Sequence, residues 1–379
     1  MIDNDRLGKT FEQLVRIDSV SREEGAICRE LVDIFEGLGG TTAIDGAGEK
    51  TGSDTGNLVV KFPGTLDVEP IFLSGHMDTV EPGRGVKPQF KDGVYTSDGT
   101  TILGSDDKSA LAIIIEVIRV IRERNLPHGP LELVITVCEE VGLLGAKHLD
   151  FSLMESKMGY ILDSTDVEGI VTRAPYANQL DITVKGKSAH AGACPENGVS
   201  AISIAAHAIS RLTLGRLDEV TTCNLGTIEG GTATNIVPDT VRVMGEVRSH
   251  DKARLDSVTE GILDAFREAA EAFRTEAFTP ELELGVELDF CGTNIPEDHR
   301  VVTLAREAAA NLGRSMESKT IGGGADANVF FGKGVMAGVI GTGMTDVHTL
   351  KESVKLSDMV ACAELLMEII RIHGEGAAA

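Results

Sequence analysis

The chain of 379 residues contains no tryptophan and only 3 tyrosines. Aromatic platforms for stacking nucleic-acid bases are therefore scarce. Positive charge is also in short supply: 35 Lys and Arg stand against 59 Asp and Glu, a formal charge of −24. A surface of that sign repels phosphate backbones and anionic membranes, which excludes nucleic acid and membrane as partners. No run of about eighteen apolar residues occurs, so no segment reads as a membrane span. The start, Met1-Ile2-Asp3-Asn4-Asp5-Arg6, has neither the basic nor the apolar part of a secretion signal. The six cysteines, at positions 28, 138, 194, 223, 291 and 362, form no Cys-x-x-Cys pair. Sparse cysteine in an acidic chain of this size points to the cytoplasm. What is present in quantity is apolar residue, 42% of the chain. That supports a sizeable core, and the length allows roughly two to three domains.

The stretch Ile71-Phe72-Leu73-Ser74-Gly75-His76-Met77-Asp78-Thr79-Val80 organises the rest. Its first part is short and apolar, as in a buried strand. His76 and Asp78 follow at i, i+2, which sends both side chains to one side of an extended segment. Either both bind a metal, or one binds and the other orients it. Upstream, Leu7, Phe11, Leu14 and Val15 recur at helical spacing. Ser21 and Glu24 have the spacing of a capping box for a second helix, which ends at Gly37 to Gly40. Residues 41–57, rich in Gly, Thr and Asp, read as a loop. Gly46-Ala47-Gly48 within it has no preceding strand and lacks dinucleotide spacing. Strands at 58–62 and 70–75 follow, then a long apolar helix opened by Asp106-Asp107. The strand 131–137 runs into Glu139-Glu140, and the strand 159–162 runs into Asp163. Alternation of this kind predicts a mostly parallel sheet with functional residues at strand carboxyl ends.

Past residue 174 the pattern changes to β-α-β-β-α-β, a ferredoxin-like α+β unit. Its second helix is amphipathic, with Leu255, Val258, Ile262, Leu263, Phe266 and Phe273 on one face. The α/β pattern then resumes, with a helix at 298–312, the run Gly322-Gly323-Gly324, a strand at 335–340 and a last helix from about 356. The fold expected is an α/β domain formed by 1–173 and 291–379, interrupted by a smaller domain at 174–290.

Several candidate donors are ambiguous singly. Asp106 beside Asp107 can be a helix cap. Asp163 ends a strand, as Asp often does, and His348 lies in a glycine-rich loop. Glu139-Glu140 is harder to explain without a cation, because adjacent carboxylates repel. Together these residues supply two imidazoles and four or five carboxylates. Such donors suit zinc, manganese or cobalt. Five ligands exceed the need of one tetrahedral ion, so two divalent ions sharing a carboxylate is the economical reading. Two ions about 3.5–4 Å apart can clamp a water and polarise a carbonyl. One carboxylate then stays free as general base.

His76-Met77-Asp78, Gly104-Ser105-Asp106-Asp107-Lys108, Glu139-Glu140-Val141-Gly142, Asp163 and His348 resemble, in this order, the di-zinc M20 metallopeptidases. Ser188-Ala189-His190-Ala191-Gly192, Asn235-Ile236-Val237 and Gly322-Gly323-Gly324-Ala325-Asp326 look most like the peptidase T-like branch. The resemblance implies a zinc-peptidase-like catalytic domain whose inserted domain is a lid that also makes a homodimer. It implies that His76 and Asp163 bind one zinc, Glu140 and His348 the other, and Asp106 bridges them. Glu139 is then the general base, and Asp78 orients His76. It implies substrate roles for His190 and Asn235 at the scissile carbonyl, for Arg248 at a substrate carboxylate, and for Gly323 and Gly324. It also implies a cis peptide bond between Asp106 and Asp107. His190, Asn235 and Arg248 each have a plain structural alternative: a surface histidine, a turn cap, and an ion pair of Arg248 with Glu246 or another acid.

Three functions compete. The first is a dinuclear zinc aminopeptidase, tripeptidase-like, acting on small peptides. The second is an N-acyl amino acid amidohydrolase of the same fold. The third is a metal- or peptide-binding protein without catalysis, against which Glu139 argues, because a binding protein needs no unligated base.

Overall fold

The computed structural model describes residues 2–376. The chain divides into two compact units, Met1–Arg173 with Asn294–Ala379, and Ala174–Thr293.

The first unit is built on a long mixed sheet. Its strands run in the order Thr41–Ile44, Leu58–Phe62, Leu131–Thr136, Ile71–His76, Met158–Ser164, Met336–Gly341 and Gly169–Ala174. The four strands from Leu131–Thr136 to Met336–Gly341 are mutually parallel, and the flanking pairs Leu58–Phe62 with Leu131–Thr136 and Met336–Gly341 with Gly169–Ala174 are antiparallel. Side chains alternate between two apolar layers, as strand geometry requires. Leu73, Leu133, Ile135 and Leu162 face one core, while Phe72, Val134, Ile161 and Val339 face the other. Helix Ser105–Arg124 is buried along nearly its whole length. Its segment from Ala110 to Ile115 is apolar all round, so the helix packs as a central element rather than a surface one.

Two expectations fail here. Residues 41–57 are not a loop: Thr41–Ile44 pairs antiparallel with Leu58–Phe62, and Ala47–Thr51 is a short helix. A strand therefore does precede Gly46-Ala47-Gly48, as a half-exposed edge strand whose polar composition hides the pairing. The Ser21–Glu24 capping box does not form either. Helix Gly25–Gly37 has no side-chain cap from Glu24, and the N–H of Gly25 donates to Asp54 Oδ1 at 2.7 Å. Ser21 and Glu24 are taken by other partners.

The second unit is a five-stranded antiparallel sheet. Its order is Gly215–Arg216, Thr221–Gly230, Thr240–Ser249, Tyr176–Lys185 and Glu281–Phe290. Helices Ala201–Ile209 and Lys252–Ala272 cover one face. Leu180, Ile182, Val241, Val243, Leu255 and Phe266 form the core between them. The four long strands and two helices follow the ferredoxin-like β-α-β-β-α-β order.

Candidate active site

The ligand candidates lie at or just beyond the ends of elements of the first unit: Asp163 is the penultimate residue of Met158–Ser164, and His348 lies in the loop between Met344–Thr345 and Ser353–Lys355. His76 is the last residue of its strand and is 2% exposed. Asp106 and Asp107 interrupt the start of the central helix with non-helical backbone, and no side chain caps that helix. The capping alternative for this pair therefore falls. The Asp106–Asp107 peptide bond is cis. Asp107 Oδ2 accepts the N–H of His76 at 3.1 Å. Gly75 makes room for this: a Cβ there would lie 2.6 Å from Asp107 Oδ2. After the strand Leu131–Thr136, Cys138 takes a left-handed φ of 52° and turns the chain. The N–H groups of Glu139 and Glu140 then donate to Asp78 Oδ1 and Oδ2 at 2.9 and 3.2 Å. His348 is itself left-handed, at φ 62°. Backbone of this kind in non-glycine residues tends to cluster at functional sites.

The central distances run through Asp106. Its Oδ1 lies 3.1 Å from His76 Nε2, and its Oδ2 lies 3.2 Å from His348 Nε2. His348 Nε2 is also 2.9 Å from Glu140 Oε1. Donor atoms about 2.1 Å from one tetrahedral zinc are roughly 3.4 Å apart. Two sets of donors lie within 4.8 Å of one another: His76, Asp106 and Glu140, and His76, Glu139 and Asp163. His76 Nδ1 lies 2.9 Å from the Asp78 backbone carbonyl, which can only accept, so that nitrogen carries the proton. Nε2 is thereby left as the free donor atom. The Asp78 carboxylate is farther, at 3.4 Å, and chiefly holds the Glu139 and Glu140 amides.

The electrostatics call for positive charge. Burial, and then the Asp163 charge, push the Glu139 carboxyl well up. Burial and Asp106 push Asp163 to about 7, and burial raises Asp107 and Glu140. Burial resists charge on His76, yet hydrogen bonds to Asp106 and Asp78 hold its pKa well above the ordinary value. Bonds to Asp106 and Glu140 raise His348 to about 10. Asp107 Oδ1 and Asp326 Oδ1 are buried with no hydrogen-bond partner. A crowded carboxylate cluster of this kind is stabilised by cations between its members. The donor set therefore fits a pair of divalent ions.

Three contributors escaped the sequence reading. Ser21 donates its hydroxyl to Asp78 Oδ2 at 2.6 Å. Glu24, fully buried, accepts the N–H of Cys138 at 3.0 Å. Asp326, 2% exposed, accepts the Thr136 hydroxyl at 2.5 Å, and burial lifts it to about 6. Only Asp326 carried a signal, as the acid closing the glycine run.

Of the substrate candidates, Gly323 is exposed in the loop before helix Asp326–Gly332, where an added Cβ would meet nothing within 4 Å. Gly324 beside it is half-buried. The other three lie in the second unit. His190 and Asn235 are exposed on two bridged segments, with the Ala191 N–H donating to the Asn235 carbonyl at 2.9 Å. His190 Nδ1 accepts the N–H groups of Gly192 and Ala193, both at 3.1 Å. Its proton therefore sits on Nε2, which is left as a donor. Arg248 pairs with Glu246 at 3.0 Å and lies over the Phe290 ring at 5.8 Å. The ion pair named as its structural alternative is thus present.

Among protein families, the peptidase dimerisation domain of M20 matches residues 177–274, and peptidase family M28 matches residues 57–169. A Staphylococcus aureus tripeptidase structure is 40% identical with a TM-score of 0.93, covering 99% of this chain and 100% of that one. The aminopeptidase PepT of Bacillus cereus is 41% identical with a TM-score of 0.89, covering 98% and 99%. Peptidase T of Brevibacillus brevis is 25% identical over 97% of this chain and 98% of its own length.

Proposed function

Because the chain belongs to the M20 metallopeptidases, in their peptidase T-like branch, we propose that it is a dinuclear aminopeptidase of small peptides. The observation that carries this reading is Asp106, whose two oxygens face His76 and His348 separately. Under it, His76 and Asp163 would hold one ion, Glu140 and His348 the other, and Asp106 would serve both. Zinc is the ion preferred by this donor set, with cobalt or manganese also suited. This donor set would let bound ions supply Lewis acidity for a scissile carbonyl and for an attacking water.

The protein's own residues do the rest. Glu139 takes a proton from the attacking water and returns it to the departing amine. Burial and the neighbouring Asp163 charge raise its pKa, which strengthens it as a proton acceptor. Asp78 holds the Glu139 amide and, through its carbonyl, the His76 ring. The His190 Nε2–H and the Asn235 amide donate to the scissile carbonyl oxygen, and Arg248 receives a terminal carboxylate. The second unit acts as lid and dimer contact, a reading supported by its match to a peptidase dimerisation domain. A cytoplasmic location is supported by the sparse cysteine of this acidic chain. Among the described residues no helix is long and apolar enough to cross a membrane.

The test combines a substrate panel with one variant. Zinc-loaded protein is expected to cleave free di- and tripeptides and to spare their N-acetylated forms. Glu139→Gln is expected to keep its metal and lose roughly 10²–10⁴ in kcat. Metal lost together with activity would make Glu139 a ligand, as its grouping with His76 and Asp163 permits. Turnover of N-acyl amino acids alone would make the protein an amidohydrolase.

A further inference from the structure

Glu352 lies four residues beyond His348, yet its carboxylate is spent entirely on the loop that carries Asp106. It is 1% exposed. Its Oε2 accepts the N–H groups of Leu103 and Gly104 at 2.8 and 2.9 Å. Its Oε1 accepts the Ser105 hydroxyl at 2.6 Å and the Asp106 N–H at 3.0 Å. Four donors on four consecutive residues thus fill the roughly four lone-pair positions of one carboxylate. The Glu352 N–H donates to the Thr349 carbonyl at 3.1 Å, which ties it back to the loop of His348.

We infer that Glu352 is a positioning residue that locks the spacing between Asp106 and His348, and so fits both metal positions at once. The inference rests on the dinuclear reading above. Physically, Asp106 is non-helical and begins no regular hydrogen-bond ladder, so its backbone needs an outside anchor. Glu352 is that anchor, and the same short segment sets the place of His348. A displacement of this carboxylate moves two ligands relative to each other, not one.

Glu352→Gln tests the idea. The amide keeps the volume but has one acceptor oxygen, so its NH₂ faces two of the four donors. Both dissociation constants, read by competition with a chromophoric zinc chelator, are expected to rise roughly 10- to 100-fold, the usual effect of losing a ligand's support. Glu132→Gln is the matched control. Glu132 is likewise buried and accepts the Glu155 and Ser156 N–H groups and the Ser156 hydroxyl, but at the start of its strand. It is expected to lower the melting temperature and leave zinc affinity unchanged. A merely structural Glu352 would behave as Glu132 does, and wild-type zinc affinity in Glu352→Gln overturns the inference. If Glu352→Gln does not fold, Ser105→Ala removes one of the four bonds. A several-fold loss of affinity supports the inference, and no loss overturns it. A wild-type chain that takes up fewer than two ions overturns the dinuclear reading itself, an outcome distinct from equal loading of wild type and variant.

Discussion

Asp106→Asn offers the sharpest test of the shared ligand. The substitution keeps size and backbone, including the N–H given to Glu352. It removes one anionic oxygen and the charge felt by both positions. Burial would raise this carboxyl, but its place between His348 and His76 outweighs that and holds it well below the usual carboxylate range. A unit charge pair at about 4 Å contributes roughly 4 kcal/mol at an effective dielectric constant near 20. A divalent ion roughly doubles that, and desolvation offsets a similar share. About 4 kcal/mol per position then corresponds to about a thousand-fold in dissociation constant. The assay is equilibrium dialysis against buffered zinc, with bound metal counted by mass spectrometry. Asp106→Asn is expected to lose both ions, whereas His348→Ala keeps one, because among the described residues His348 pairs with Asp106 and Glu140. An Asp106→Asn protein that retains one ion at wild-type affinity refutes the bridging role.

Three other outcomes are expected. Arg248→Lys should raise KM for free-acid di- and tripeptides and leave their C-terminal amides nearly unchanged, because Lys lacks the planar fork that grips a carboxylate. Equal effects on acids and amides would leave Arg248 with a structural role beside Glu246 and Phe290. Gly75→Ala places a methyl 2.6 Å from Asp107 Oδ2 and 3.1 Å from Ala110 Cβ. It should cost about 1–3 kcal/mol in thermal unfolding and weaken zinc binding through His76, and a wild-type melt would disprove the close packing. Light scattering at micromolar concentration should give twice the chain mass of 40.2 kDa, and a monomer would count against a dimer made through the second unit.

Much of the catalytic sheet is readable from local pattern. An apolar run such as Leu131–Thr136 followed by Glu139-Glu140 announces both a buried strand and the charged residues at its end. The helix Lys252–Ala272 is equally plain, because its apolar period is its packing face. The edge strand Thr41–Ile44 is not, since half-exposed Thr and Ala carry no clear period and the pairing with Leu58–Phe62 alone defines it. Ser21 shows how a local signature loses to a distant partner. Its spacing to Glu24 fits a capping box, but the Asp78 carboxylate, 57 positions away, takes the hydroxyl.

The residues that support the ligands are hidden for a further reason. Glu24 and Glu352 both act on backbone N–H groups, of Cys138 in one case and of Leu103, Gly104 and Asp106 in the other. Nearly every residue offers such a group, so the partner leaves no mark in residue type. Within Leu350-Lys351-Glu352-Ser353 the glutamate looks like any charged position on a surface strand. Its partners lie 246 to 249 positions earlier, beyond any period a window could detect. Ligands reveal themselves because chemistry restricts them to His, Asp, Glu and Cys. A carboxylate that orders the backbone beneath a ligand is restricted only by where the folded chain brings it.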